Sequence, residues 1–383
     1  MLNHLINLNP FTLLTTGRTG SDFLQSMLDS HPQVLTFNGS FDYYTFWDNS
    51  TCVKSGSFEV SDFVDELVGK FIEKFKSRYD IIERKEQLGI NSNQSIDIDI
   101  SEFKEKFKAI IGNNEVNSKN CLLAIYGAYS LAIGQGLTKK EVFFHHIHHH
   151  HKLDRFLEDF PTSKIISMTR DPRANIYSGV THHKSYNPNS MGGAHQYFYI
   201  KRILEDCSAL EKYDNEYISI KLESLGSINT LENLADWLGI VYDKTLSKST
   251  WAGLEWQGDK LSGKKTSGGK FSNRILQNGW EKNLSKKDKY IFNYLMNSRL
   301  KSYGYSYEDK SFLSHVLVPV LNLLPLSYEK EMFSPFYIYK NMKDGKHILI
   351  IHNIISFLKR IILFQKYYWK ELSPNSINYP YLK

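Results

Sequence analysis

One segment near the amino terminus restricts the fold more than any other, Phe11 to Pro32, FTLLTTGRTGSDFLQSMLDSHP. The apolar run Phe11 to Thr16 reads as a buried strand. Phe23, Leu24, Met27 and Leu28 then recur at helical spacing up to the stop Asp29-Ser30-His31-Pro32. Between them lies the tight turn Gly17-Arg18-Thr19-Gly20. A strand that enters a helix through such a turn has the layout of a phosphate-binding loop. Backbone N–H groups of the turn and of the helix N-terminus hold anionic oxygens there. Ser21 adds a hydroxyl donor, and Arg18 is the only cation in the turn. The nucleoside-triphosphatase signature GxxxxGK(S/T) is absent, because the spacing is shorter and no Lys precedes Ser21. Taken alone, the segment fits an ordinary strand-to-helix connection with an exposed Arg equally well.

A second segment repeats the plan. Lys164 to Thr169 (KIISMT) is an apolar strand, Arg170-Asp171-Pro172 opens a helix, and Ser178 stands eight residues beyond Arg170. Arg170 then lies at the C-terminal edge of its strand, where ligands bind in open α/β sheets. Ser178, about two helical turns further on, reaches back beside it. A guanidinium with a hydroxyl suits a phosphate monoester. The competing reading is an Arg–Asp pair at a helix start, with Asp171 as the cap. Further strands are expected at Val34–Phe37, Val142–Phe144 and Tyr217–Leu222, with helices through Leu153–Phe160, Met191–Tyr213, Leu231–Leu238 and Lys286–Leu300. This alternation predicts an α/β fold, a parallel sheet flanked by helices. Residues 50–120 carry the amphipathic stretches Phe63–Phe75 and Phe103–Ile111 and read as a helical insertion or lid. The Gly-, Ser- and Lys-rich stretch 253–279 reads as a mobile loop.

Together the two segments resemble the PAPS-dependent sulfotransferases, which use 3′-phosphoadenosine 5′-phosphosulfate as donor. The family's first loop, (K/R)-(S/T)-G-(S/T), stands here as Arg18-Thr19-Gly20-Ser21, followed by Asp22. The resemblance implies that this loop binds the 5′-phosphosulfate. It also implies that Arg170 and Ser178 bind the 3′-phosphate. The R-D-P triplet at Arg170 matches the bacterial and tyrosylprotein branches. A weaker match runs through Ile220-Lys221-Leu222-Glu223-Ser224-Leu225 and Leu234-Ala235-Asp236-Trp237-Leu238-Gly239. Leu222 stands where the family has Tyr. The family's late basic loop has no clean match, although Lys264, Lys265, Lys270 and Arg274 fall where it belongs. The implied fold is the P-loop-like sulfotransferase fold, and the implied reaction is in-line transfer of a sulfuryl group to a hydroxyl, without a metal. A carbohydrate or related acceptor is expected. The rivals are a nucleotide-dependent kinase, disfavoured by the missing loop Lys, and a non-catalytic nucleotide- or glycan-binding member.

Such a transfer needs a cation near the leaving oxygen, a role for Arg18, and a base for the acceptor proton. Some members take the base from a Glu past the first helix, but Phe37-Asn38-Gly39-Ser40 has none there, and Asp42 is the nearest carboxylate. Others use a His at the end of the strand before the 3′-phosphate strand. That position falls in the run His145-His146-Ile147-His148-His149-His150-His151. Distance to Arg170 favours His148, and downstream landmarks leave His146 equally open. A rival reading of the run is a metal site, for instance through His146 and His150.

Composition narrows the classes. The 383 residues are 41% hydrophobic and 23% charged, which is ordinary for a globular chain. A net charge of +6 is too mild for a coating nucleic-acid binder and suits a pocket for an anionic ligand. Cys52, Cys121 and Cys207 are far apart and lack CxxC spacing, against a disulfide scaffold or structural zinc. No signal peptide is evident in MLNHLINLNP, so the expected location is cytoplasmic. The expected division is a sulfotransferase-like domain over 1–307 and a helical C-terminal extension over 308–383. In the latter, 348–370 pairs an apolar face with the polar stripe His352, Asn353, Ser356, Lys359 and Arg360. Two placements fit: packed on the domain, which is preferred, or lying on a membrane with Lys366, Tyr367, Tyr368, Trp369 and Lys370 as anchors.

Overall fold

The computed structural model describes residues 1–77, 87–148, 152–186, 193–205, 210, 213–258, 271, 279–372 and 381. Five strands form the central sheet: β1 (Asn9–Thr15), β2 (Val34–Leu35), β3 (Val142–Ile147), β4 (Lys164–Thr169) and β5 (Tyr217–Lys221). Their order is β2-β3-β1-β4-β5, and every neighbouring pair is parallel. The α/β expectation therefore holds. β2 is shorter than the apolar run Val34–Phe37, because the Phe37 carbonyl accepts from Gln25 Nε2 at 2.8 Å and Thr36 Oγ1 from the same nitrogen at 3.1 Å.

Side chains alternate along the strands and feed two cores. Leu14, Phe143 and Ile165 enter one, and Leu13, Val142, Phe144 and Ile166 enter the other. The first core also takes Phe63, Leu67 and Phe75 of the helix Val60–Ser77, and Phe103 and Phe107 of the helix Ile100–Ile111. Residues 50–120 thus build one wall of the domain rather than resting on it. The helix Ser118–Ala132 completes that wall and is buried almost all round.

A third core joins Ile176 and Ile200 to Phe292, Leu295, Leu363 and Phe364, so the C-terminal extension packs on the sheet's helical layer. That extension contains the helices Phe312–Leu321, Pro335–Lys343 and His347–Leu372. The expected helix Met191–Tyr213 is described as Gly193–Glu205, and Lys286–Leu300 divides into Lys286–Leu295 and Asn297–Ser302. The start of the expected 253–279 loop instead pairs Leu254–Glu255 with Thr250–Trp251 as a hairpin. His149, His150, His151, Cys207, Lys264, Lys265, Lys270 and Arg274 lie outside the described residues.

Candidate active site

Parallel register brings three strand ends to one edge. Leu13 of β1 pairs with His146 of β3, and Thr15 with Met168 of β4. The turn after β1 is therefore flanked by the histidine run on one side and Arg170 on the other. Gly17, Arg18 and Gly20 all take positive φ, at 90°, 56° and 87°. Arg18 is strained there as a non-glycine. Thr15 holds the turn, because its Oγ1 accepts the Gly17 N–H at 2.9 Å and bonds Thr19 Oγ1 at 2.7 Å. At Gly20 a Cβ would lie 2.4 Å from Leu222 Cδ1, so glycine is required twice over, by φ and by space. Leu222, where a Tyr was expected, is thus the floor of the turn. Gly20 is the N-cap of the helix Ser21–Leu28 and offers no side-chain cap, which leaves the first N–H groups to an anion.

The second segment meets the first directly. Arg170 Nη1 donates to the Arg18 carbonyl at 3.4 Å, across 152 residues of sequence. Its Nε is buried with no hydrogen-bond partner among the described residues. Burial pulls the Arg170 pKa down, against the opposing field of Glu223, but a guanidinium stays charged at any working pH. The Arg–Asp pairing expected as the rival reading goes elsewhere. Asp171 accepts Arg173 Nε at 3.0 Å and Nη2 at 2.7 Å, and caps the helix through the Arg173 N–H at 2.9 Å. Glu223 accepts the Asp171 N–H at 3.1 Å and the Tyr305 hydroxyl at 2.9 Å. Ser178 is half-buried on the helix Pro172–Tyr186. Tyr199, which sequence reasoning missed, ties the segments together. Its hydroxyl lies 2.9 Å from the Gly17 carbonyl and 2.7 Å from Asn175 Oδ1.

A sequence model described as "Sulfotransferase family" matches residues 10–244. The chain belongs to the sulfotransferase family. Among solved structures, the sulfotransferase domain from the Synechococcus PCC 7002 olefin synthase is 16% identical, with a TM-score of 0.37 over 73% of this chain and 90% of its own. The sulfotransferase domain from the curacin biosynthetic pathway is 14% identical, with a TM-score of 0.36 over 63% of this chain and 77% of its own. No curated protein sequence matches the chain.

In this family member the histidine run divides by strand alternation. His145 enters the aromatic core, stacked on Phe156 at 5.2 Å and bonded through Nδ1 to the Tyr126 hydroxyl at 2.7 Å. Burial pushes its pKa down to about 3, so it is neutral. His146 points the other way, its Nδ1 2.8 Å from Gln25 Oε1. Gln25 is fully buried, and its amide nitrogen faces the Phe37 carbonyl, so its oxygen must face His146. The proton of a neutral His146 therefore sits on Nδ1, and Nε2 is the basic nitrogen. His148 lies beside it, with ring centroids 4.6 Å apart, and its carbonyl accepts from Arg202 Nη2 at 2.5 Å. Neither Gln25 nor Arg202 was singled out from the sequence. The signal for Gln25 was a polar residue on the apolar face of a short helix.

Asp22, His146 and His148 bring one potential ligand atom each within 4.8 Å of one another, a set able to hold a cation. This is not the His146–His150 pair considered from the sequence, since His146 is on a strand and His150 is outside the described residues. A cavity of about 350 Å³ opens beside His146 and His148. Phe41, Tyr43, Tyr44 and Phe71 supply its aromatic surface, and Lys70, Lys74, Lys152, Asp42 and Glu73 its charge. Asp42, the reserve base, is held by Lys152 Nζ at 2.5 Å.

Proposed function

We propose that the chain transfers a sulfuryl group from PAPS to a hydroxyl of a carbohydrate or related small molecule, with His146 as the general base. The family generally uses PAPS, and one observation supports its use here above the rest. The uncapped N–H groups of the Arg18 turn and the buried, unpartnered Arg170 Nε stand on adjoining strand ends. That arrangement fits a ligand with two separate anionic groups. Bound PAPS would supply an activated sulfuryl group. Arg18 and the turn would hold its 5′ end and offset charge on the leaving oxygen. Arg170 and Ser178 would hold its 3′-phosphate.

His146 is favoured over His148 and Asp42 by its fixed tautomer. Gln25 sets that tautomer, whereas the cavity is shared by all three residues. A base held in this way takes a proton without first reorganising. Asp42 is neutralised by Lys152. The aromatic surface with lysines suits a polar acceptor that stacks an apolar face.

Thermal melting with adenosine 3′,5′-bisphosphate and with ATP tests the reading. At about 100 times its Kd, the bisphosphate is expected to stabilise by about 2.7 kcal/mol, a shift of several degrees. ATP at equal concentration is expected to do far less. Preference for ATP, or no response to either, would overturn the proposal.

A further inference from the structure

The C-terminal extension buries polar groups and leaves a long aliphatic row uncovered. In the helix His347–Leu372, Asn353, Ser356 and Arg360 of the polar stripe face inward, Asn353 1% and Arg360 0% exposed, together with Leu363, Phe364, Tyr367 and Tyr368 further on, while His352 and Lys359 are exposed. Arg360 grips Glu329 through Nε at 3.1 Å and Nη2 at 2.9 Å, and donates to the carbonyls of Asn322 at 2.5 Å and Leu324 at 3.0 Å. Asn353 Nδ2 donates to the Tyr337 hydroxyl at 3.3 Å, and Gln365 Nε2 to the Pro319 carbonyl at 2.9 Å. These bonds fix the rotation of the helix, because turning it would strand a buried ion pair.

The aliphatic stripe consequently faces out. Ile348, Ile351, Ile355, Leu358 and Ile362 recur every three or four residues, and Ile348 and Ile362 are each 70% exposed. The neighbouring helix Phe312–Leu321 also leaves aliphatic side chains uncovered. It buries Ser314 and Val318 and exposes Phe312, Val316 and Val320, Phe312 to 85%. An uncovered row of large aliphatic side chains on two neighbouring helices marks a surface built to meet an apolar phase or partner.

Charge identifies the occupant. Among the exposed residues of 308–372, Lys330, Lys340, Lys343, Lys346, Lys359, Lys366 and Lys370 outnumber the carboxylates Glu308, Asp309, Glu331 and Asp344, and from 335 on Asp344 is the one exposed carboxylate. Trp369, 67% exposed, stands next to Lys370. Lysines whose stems reach past an aliphatic stripe, with an aromatic at the border, suit the headgroup layer of an anionic bilayer. By length and composition the long helix is able to cross a membrane. Its inner face, however, is packed and hydrogen-bonded, and Lys359 and Lys366 are exposed along it, so one side alone is open to lipid. We propose that the helices Phe312–Leu321 and His347–Leu372 form a one-sided lipid-docking face that seats the domain on an anionic membrane surface. This inference does not depend on the sulfuryl-transfer reading.

Co-sedimentation of the full chain with phosphatidylcholine vesicles, with and without one third phosphatidylglycerol, tests it. Partitioning is expected to be at least ~10-fold stronger on the anionic vesicles. The double variant Ile351→Glu/Leu358→Glu is expected to lose at least ~10-fold of that partitioning while still binding nucleotide. Absence of binding by the unaltered chain, or equal binding by the variant, overturns the proposal. So does light scattering without lipid that reveals a dimer split by the variant, since the face would then belong to a second copy. Should the variant fail to fold, brominated lipids give a second reading. They are expected to quench the unaltered chain more than Trp369→Phe, and equal quenching overturns the proposal.

Discussion

Gly20→Ala is the most demanding perturbation of the turn after β1. The added Cβ would sit 2.4 Å from Leu222 Cδ1, about 1 Å inside ordinary contact, at a φ of 87°. The backbone contribution is roughly 1–2 kcal/mol for an L-residue in the left-handed region. Leu222 is buried in the short turn just after β5 and yields little, so overpacking adds roughly 1–3 kcal/mol. A total loss of about 2–5 kcal/mol is expected in urea unfolding. Leu222→Ala alone is expected to cost about 2–5 kcal/mol as a large-to-small core change. In the double variant the new methyl enters the space that Leu222 vacates. The sum should therefore be non-additive by roughly 1–3 kcal/mol in the favourable direction. The strain at φ remains, so nucleotide affinity should stay impaired in the double variant even as stability returns. Additivity within about 0.5 kcal/mol would refute the claim that Leu222 is the floor of the turn.

Three further outcomes follow from the site. Arg170→Ala is expected to weaken adenosine 3′,5′-bisphosphate by about 1.5–3 kcal/mol in calorimetry and to leave adenosine 5′-phosphosulfate nearly unchanged, because only the former carries a 3′-phosphate; equal losses would remove Arg170 from that role. His146→Ala is expected to cut turnover of PAPS with a hydroxyl acceptor by roughly 10²–10⁴ while nucleotide affinity persists, and His148→Ala to cost much less; the reverse ranking would move the base by two residues. His145 is neutral and buried with its pKa pushed down to about 3, well below the unfolded value of about 6.5. The unfolded chain therefore binds the extra proton first. Stability from this group is complete above pH 6.5 and falls at about 1.4 kcal/mol per unit as the pH drops toward 3. Urea midpoints at pH 7, 6 and 5 that do not decline in the unaltered chain would contradict this.

The two strand–turn–helix segments proposed to bind anions were legible because each is local. A strand, a turn or an Arg, and a helix follow one another within about fifteen residues, and their chemistry needs no distant partner to be recognised. The proposed base was not legible in the same way. Strand alternation sends His145 into the aromatic core and His146 toward Gln25, but a run of identical residues hides which register applies until β3 pairs with β1. The helix Ser118–Ala132 escaped notice because it is buried almost all round and so lacks the two-sided pattern that marks an amphipathic helix. For residues 50–120, polar composition pointed to a lid, whereas every third or fourth residue of its helices enters the first core. In the extension both stripes of the long helix were visible. The sense in which they face was decided by Glu329, which lies 31 residues away from Arg360.

The central claim is that two cationic segments, the Arg18 turn and Arg170, hold the two phosphates of one nucleotide. A crystal structure with adenosine 3′,5′-bisphosphate tests it most directly. The account predicts the 5′-phosphate on the backbone N–H groups between Gly17 and Ser21, and the 3′-phosphate on Arg170 and Ser178. A nucleotide bound with its 3′-phosphate away from Arg170, or bound outside the edge formed by β1, β3 and β4, would contradict it.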